Sequence, residues 1–340
     1  MRIDDMSLNI FTLANVLRQL DPSASPTEII KRLSQIDLGL SAEDEFQCIA
    51  VWLGKCLMCH KLEEVPFVSS DFQPVRVPDV VAVFSVENRT IPVAVEVKST
   101  SSRKLSWKNA YYEELSRYGF LTGLPVLVAW KHADLGIWTL TDISAFCIAK
   151  KNRILSTSEA FRENLLGVLA GDVLYQLIDG VGLHIEALKK ELLRSDTEDN
   201  SQTWKLVITK AWFTDGNDRE YRRTPPGIWP LFLASHLTTN TEVTSEMVRQ
   251  HFVVDSSDEE SKNTQWLHRA LPLIMHFTEG DPAKILWRQK LLHNDLPTNG
   301  GRLKDALRGS FGVFSKYVLE QQPVTLPPYL EFIKRRGTVQ

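Results

Sequence analysis

Two apolar, β-branched runs, Pro78-Asp79-Val80-Val81-Ala82-Val83-Phe84 and Ile91 to Lys98, constrain this chain more than any other feature of it. Each is short and bounded by polar residues. Glu87-Asn88-Arg89 between them reads as the turn of a hairpin whose strands are buried on both faces. A helix predicted over Ser106 to Tyr118 follows, then strands at Pro125 to Trp130 and Gly136 to Leu140. A helix lying between the second and third strands implies a right-handed crossover and a parallel pair. The expectation is therefore an α/β domain with a mixed sheet flanked by helices.

The flanking segments read as helical. Residues 1–40 hold two short amphipathic patterns, Ser7 to Leu20 and Pro26 to Ile36, the second opened by Ser25-Pro26. Ser41 caps a helix predicted from Ala42 to Cys59, with Phe46, Ile49, Ala50, Leu53 and Leu57 on its apolar face and Glu43, Asp44 and Glu45 in its first turn. The α/β domain is thus expected over 41–150, followed by a helical connector over 151–201, with helices at Ser158 to Ile178 and Leu183 to Leu193. The polar run Ser195 to Ser201 is the expected linker. A strand at Trp204 to Phe213 opens the remainder, which is otherwise read as a mostly helical domain over 202–340. Its helices near Ile228 to Leu237, Ser245 to Phe252 and Gln265 to His276 allow a helix-turn-helix in which the last, with His268 and Arg269, is the reader. The acidic loop Asp255 to Ser261 argues for a protein-interaction or dimerisation role there instead.

Composition excludes several classes. The four cysteines are too sparse for a disulfide framework, and Cys56-Leu57-Met58-Cys59-His60 matches a haem-attachment pattern that belongs to exported chains. Two acids follow Met1-Arg2-Ile3 where a signal peptide carries bases, and no apolar run is long enough to span a bilayer, so a cytoplasmic location and no membrane contact are expected. A zinc site at Cys56, Cys59 and His60 lacks a second ligand pair. No phosphate-binding Gly-Lys-Ser/Thr loop occurs. A net charge of −3 rules against a constitutive, non-specific grip on DNA, so any contact must be local. Between Arg76 and Lys108, six bases face three acids.

That basic stretch encloses the chemistry. Glu96 and Lys98 lie two apart in a strand and so project from one face, with Val95 and Val97 on the other. Asp79 comes alongside them if the hairpin pairs in the register its turn suggests. Two carboxylates and the Val97 carbonyl offer hard oxygen ligands for Mg²⁺ or Mn²⁺, which polarises a phosphate and lowers the pKa of a bound water, while Lys98 orients that water or stabilises developing charge. The upstream helix supplies a third acid, Glu43 or Glu45. Arg103, Lys104 and Lys108 are candidate phosphate contacts. Trp107, Tyr111 and Tyr118 recur at helical spacing and read as core.

Pro78-Asp79 followed by Glu96-Val97-Lys98 resembles the PD-(D/E)XK, or restriction-endonuclease-like, nuclease superfamily. The resemblance covers Ser41 to Phe146 and is strongest to Holliday-junction resolvases and restriction-type nucleases. It implies divalent-metal-dependent endonucleolytic hydrolysis of DNA, in a restriction or genome-defence role with a protein partner or activator, or as a junction resolvase acting as a homodimer. From a different class, a binding or scaffolding subunit can use the same fold without catalysis.

Overall fold

The computed structural model describes residues 42–62, 72–196, 201–221, 228–233, 237–255, 264–279, 287–296, 299–321, 323 and 325–331. The helices expected within 1–40 lie outside them. Helix α1 spans 42–52 and ends at Gly54, whose φ of +96° suits glycine. Strand β1 (Cys56–Lys61) follows, where a single helix to Cys59 was expected. The apolar positions of Ala42 to Leu53 keep helical spacing, but the segment beyond Gly54 pairs antiparallel with the next strand, and that pairing satisfies its backbone.

β2 (Val80–Val86) and β3 (Arg89–Thr100) form the expected hairpin, with Val80 opposite Val95 and Val86 opposite Arg89. Glu87 and Asn88 both take positive φ, 49° and 61°, as the twist of a two-residue hairpin turn demands. β4 (Lys104–Lys108) precedes α2 (Asn109–Thr122), so the helix expected from Ser106 begins three residues late. β5 (Val126–His132) runs parallel to β3 and β6 (Ile137–Asp142) antiparallel to β5, giving the order β1-β2-β3-β5-β6. The mixed sheet read from the sequence is present. Its two faces are separate cores: Val93, Val95 and Val97 pack on the α1 side, while Ala94, Val126, Val128 and Trp130 pack toward α2. Glu96 and Lys98 share the parity of Ala94 and therefore face α2.

The second half departs from expectation. β7 (Cys147–Ala149) and β8 (Asn152–Ser156) come next, and α3 (Thr157–Arg162), α4 (Leu166–Ala170) and β9 (Val173–Leu177) replace the long helix expected over Ser158 to Ile178. β10 (Gly182–Asp196) lies where a helix over Leu183 to Leu193 was expected, and pairs along its length with β11 (Ser201–Thr214). The polar run taken for a linker thus joins two strands of one hairpin, and a boundary at 201/202 cuts through it. β12 (Glu220–Tyr221), α5 (Ile228–Leu233), β13 (Leu237–Val243) and β14 (Met247–Val254) follow, so the helix expected at Ser245 to Phe252 is a strand, and the three-helix run needed for a helix-turn-helix does not form. These strands make the sheet β12-β11-β10-β14-β13.

β15 (Thr264–Trp266), a 3-10 turn at Leu267–Arg269, α6 (Ala270–Glu279), α7 (Trp287–Leu292), α8 (Gly300–Gly309), β16 (Ser315–Glu320) and α9 (Pro328–Glu331) complete the described chain. Leu183-His184-Ile185 and Phe252-Val253-Val254 give apolar spacing that a helix and a strand can both use; cross-strand partners decide. One buried cluster runs from Phe46 and Val95 through Leu177 and Phe314 to Leu330, so the first sheet and the later elements share a core. Among the described residues no helix is long and apolar enough to cross a membrane.

Candidate active site

The hairpin register that sets Val80 opposite Val95 brings Asp79, one residue before β2, beside Glu96. The Val97 N–H donates to Asp79 Oδ2 at 2.6 Å, locking the carboxylate over the strand. Lys98 Nζ donates to Glu96 Oε1 and, at 3.0 Å, to the Val97 carbonyl, and stands 3.8 Å from Asp79 Oδ2. Asp79, Glu96, Val97 and Lys98 therefore meet as the alternation in the sequence suggested. The Tyr111 hydroxyl, reaching in from α2, donates to the same Glu96 Oε1. Arg76 lies over the Tyr111 ring, 4.4 Å from its centre, and pairs with Glu114 at 3.2 Å.

Electrostatics here are strained toward acid. Glu96 is 2% exposed, and burial, together with its negative charge, pushes the Asp79 carboxyl up to about 7, against the opposing pull of Lys98. Burial works against the Lys98 ammonium, but Glu96 and Asp79 together outweigh it and hold its pKa above the usual lysine range. Lys98 is thus a fixed cation and a hydrogen-bond donor. Burial also raises the Tyr111 phenol, and the Glu96 carboxylate adds to that effect.

The structure separates the two candidates for a third acid. Glu45 is buried away from the cluster: its Oε2 meets Lys131 Nζ at 2.5 Å and its Oε1 accepts from the Trp138 indole at 3.1 Å, pinning α1 to β5 and β6. Glu43 and Asp44 both hold Lys61 Nζ at 2.9 Å. Burial raises the Glu43 carboxyl, and its charge is close enough to act on Asp79 and Lys98. Helical geometry explains the split, because residues two apart point in directions about 200° apart. Arg103, Lys104 and Lys108 stand exposed on and beside β4, outside the cluster, with Leu105 and Trp107 of the same strand buried.

Tyr111 and Lys61 were not read as site residues. Tyr111 shares a helical spacing with Trp107 and Tyr118 that reads as core, and only its hydroxyl marks it out. Lys61 lies beyond the helix expected there and enters the site region through β1.

Among the described residues no group of three or more His, Cys, Asp and Glu side chains is placed to hold a metal ion. The open donor set still suits Mg²⁺, which keeps several waters and takes one or two carboxylates. Asp79 and Glu96 are hard oxygen donors set side by side, and each commits one oxygen to the hydrogen bonds above, leaving Asp79 Oδ1 and Glu96 Oε2. Burial first and the Glu96 charge second raise the Asp79 carboxyl, and a divalent cation would offset both.

No family model matches the chain. No curated protein matches it. Among solved structures, part of the chain is similar to Hjc, a Holliday junction resolvase of the archaeal hyperthermophile Archaeoglobus fulgidus, at 20% identity over 36% of this chain and 86% of that one, with a TM-score of 0.29.

Proposed function

We propose that this chain is a metal-dependent endonuclease that hydrolyses DNA phosphodiester bonds at the Asp79, Glu96 and Lys98 cluster. The observation that supports it is the meeting of these three side chains at the end of one buried hairpin, with two carboxylate oxygens left for a cation. Asp79 and Glu96 would hold Mg²⁺ or Mn²⁺, which supplies Lewis acidity toward a phosphate oxygen and acidifies a bound water.

The chain's own residues do the rest. Val97 N–H fixes the rotamer of Asp79. Tyr111 and Lys98 fix that of Glu96 through a shared oxygen. Lys98, held as an ammonium, is positioned to stabilise the negative charge that grows on the phosphate during in-line attack. Arg76, 46% exposed and stacked on Tyr111, offers a second cation on the rim where a phosphate chain would pass.

The test is cleavage of a labelled panel of duplex, branched and single-stranded DNA and of RNA with Mg²⁺ or Mn²⁺, comparing the native chain with Lys98→Ala and Asp79→Ala. Cutting that needs the metal and disappears in both variants supports the reading. A native chain that binds neither metal nor nucleic acid overturns it. Symmetric cutting of four-way junctions would select the resolvase form; cutting only with an added protein would select a partner-triggered nuclease.

A further inference from the structure

The β10–β11 hairpin outruns the sheet that carries it. β14 pairs with β10 only from Gly182 to Leu188, and β12 pairs with β11 only at Phe213 and Thr214. Beyond those points the two strands continue to Asp196 and Ser201 as a ribbon with no other strand beside it among the described residues. An isolated two-stranded ribbon is marginal in water, and an uncovered strand edge presents unpaired N–H and C=O groups.

The side chains of this arm do not suit a free ribbon. Lys210 pairs with Glu186 and Ile208 with Ala187, so Thr209 is an extra residue in β11 and the alternation shifts there. Below the bulge, Trp204, Leu206 and Ile208 share one face. That is the face on which Leu183, Ala187 and Phe213 turn toward the core nearer the body of the protein. Leu192 pairs with Trp204 and joins the same stripe, and Lys189, opposite Leu206, crosses it with its ammonium 5.3 Å from the centre of the Trp204 ring. Leu192 is 43%, Leu206 45% and Ile208 64% exposed. The core-facing stripe thus runs on where no described element covers it, which marks an interaction surface.

We propose that this arm is where a second copy of the chain docks, β11 pairing antiparallel with β11 of its partner about a two-fold axis through Leu206. A two-fold perpendicular to a sheet keeps each side chain on its own face, and residues directly opposite share a face. The axis must therefore pass through a residue and its own copy. Centred on Lys205 it opposes like charges, which is destabilising. Centred on Leu206 it sets Leu206 against its copy and each Trp204 against the other chain's Ile208. This gives one continuous apolar ladder with an aromatic–β-branched pair at each end, and Lys205 meets Val207. Such cross-strand pairs are the stabilising unit of a sheet. The apolar character of the edge favours a protein over the phosphate backbone, although Lys189, Lys190, Arg194 and Lys205 make the arm mildly basic. The docking argument stands on the arm alone; that two copies would present two cutting sites rests on the nuclease reading.

The experiment measures mass by light scattering, without DNA or metal, for the full chain, Leu206→Lys, Leu206→Glu and a mixture of the two variants. The expected masses are twice 38.7 kDa for the native chain, 38.7 kDa for each variant alone, and recovery of the doubled mass in the mixture. The recovery separates a charge-sensitive interface from misfolding. A single-chain mass for the native protein, dimers indifferent to either variant, or a mixture that stays single with unchanged circular dichroism overturns the proposal. If the native chain is a monomer and a separate DNA-binding assay shows retention falling in Leu206→Glu, the proposal is overturned and the arm is a nucleic-acid contact. Lys98→Ala must remain dimeric, so a dimer that cuts nothing breaks the nuclease reading and leaves the interface standing.

Discussion

Glu96 and Asp172 are both buried carboxylates, 2% and 0% exposed, and they are surrounded in opposite ways. Asp172 accepts from the His268 backbone at 2.9 Å, from His268 Nδ1 at 2.8 Å and from Gln321 Nε2 at 2.5 Å. His268 Nε2 accepts the Trp138 N–H at 3.0 Å, so the imidazole proton sits on Nδ1. Asn164 accepts the Leu140 N–H at 2.9 Å and donates to Gln321 at 2.8 Å. The network closes on itself and caps alternate N–H groups of β6, the edge of the first sheet, which would otherwise be buried without partners. At Glu96 the opposite holds: two carboxylates share one ammonium, an Asp79 carboxyl is driven up to about 7, and oxygens stay uncommitted. A satisfied buried network is architecture, whereas a cluster of crowded charge with uncommitted oxygens at a sheet end is where the proposed cation would bind.

The sharpest way to break this contrast is to remove one partner from the closed network. Asp172→Ala leaves His268 and Gln321 buried without their acceptor and should cost about 3–5 kcal/mol in urea unfolding. A loss below about 1 kcal/mol would show that the network is not what clamps β6. Lys98→Ala should fall chiefly on activity, lowering cleavage on the order of 100- to 1,000-fold, with a smaller loss of stability than Asp172→Ala because Tyr111 still donates to Glu96.

Asp79 sharpens the comparison through pH. Its carboxyl holds a proton more tightly folded than unfolded, so the stability tied to it is present at low pH and is lost as pH rises from about 4 to about 7. Asp79→Asn should remove that slope in metal-free buffer and gain on the order of 1 kcal/mol at pH 8, while abolishing cleavage. A stability loss at pH 8 would mean that the cluster is a structural ion pair. The smallest effect is that of Tyr111→Phe, which deletes one hydrogen bond to Glu96 and should cost about 1 kcal/mol in the same unfolding assay.

Legibility followed the range of the interactions involved. The Val80 to Val86 and Arg89 to Thr100 hairpin could be read because its turn and its partner are local, and Glu96 and Lys98 because a period of two is a local rule. β10 and β14 were read as helices because their partners lie up to 71 positions apart, as Gly182 and Val253 do, and apolar spacing in a short segment satisfies either period. Glu45 was a fair candidate until Lys131 and Trp138, 86 and 93 positions away, claimed it. Tyr111 was set aside as core because spacing says which way a ring points and not what its hydroxyl meets.

By itself, then, the sequence determined the α/β sheet around residues 80–140 and the pairing of Asp79, Glu96 and Lys98, since alternation, a two-residue turn and a crossover helix all act over short stretches of chain. Only the tertiary structure decided that Glu45 is drawn to Lys131 and Trp138 while Glu43 meets Lys61, that Tyr111 grips Glu96, and that the second half is built on strands. Those outcomes depend on which distant backbone and side-chain groups satisfy one another once water is excluded, and no local periodicity encodes that.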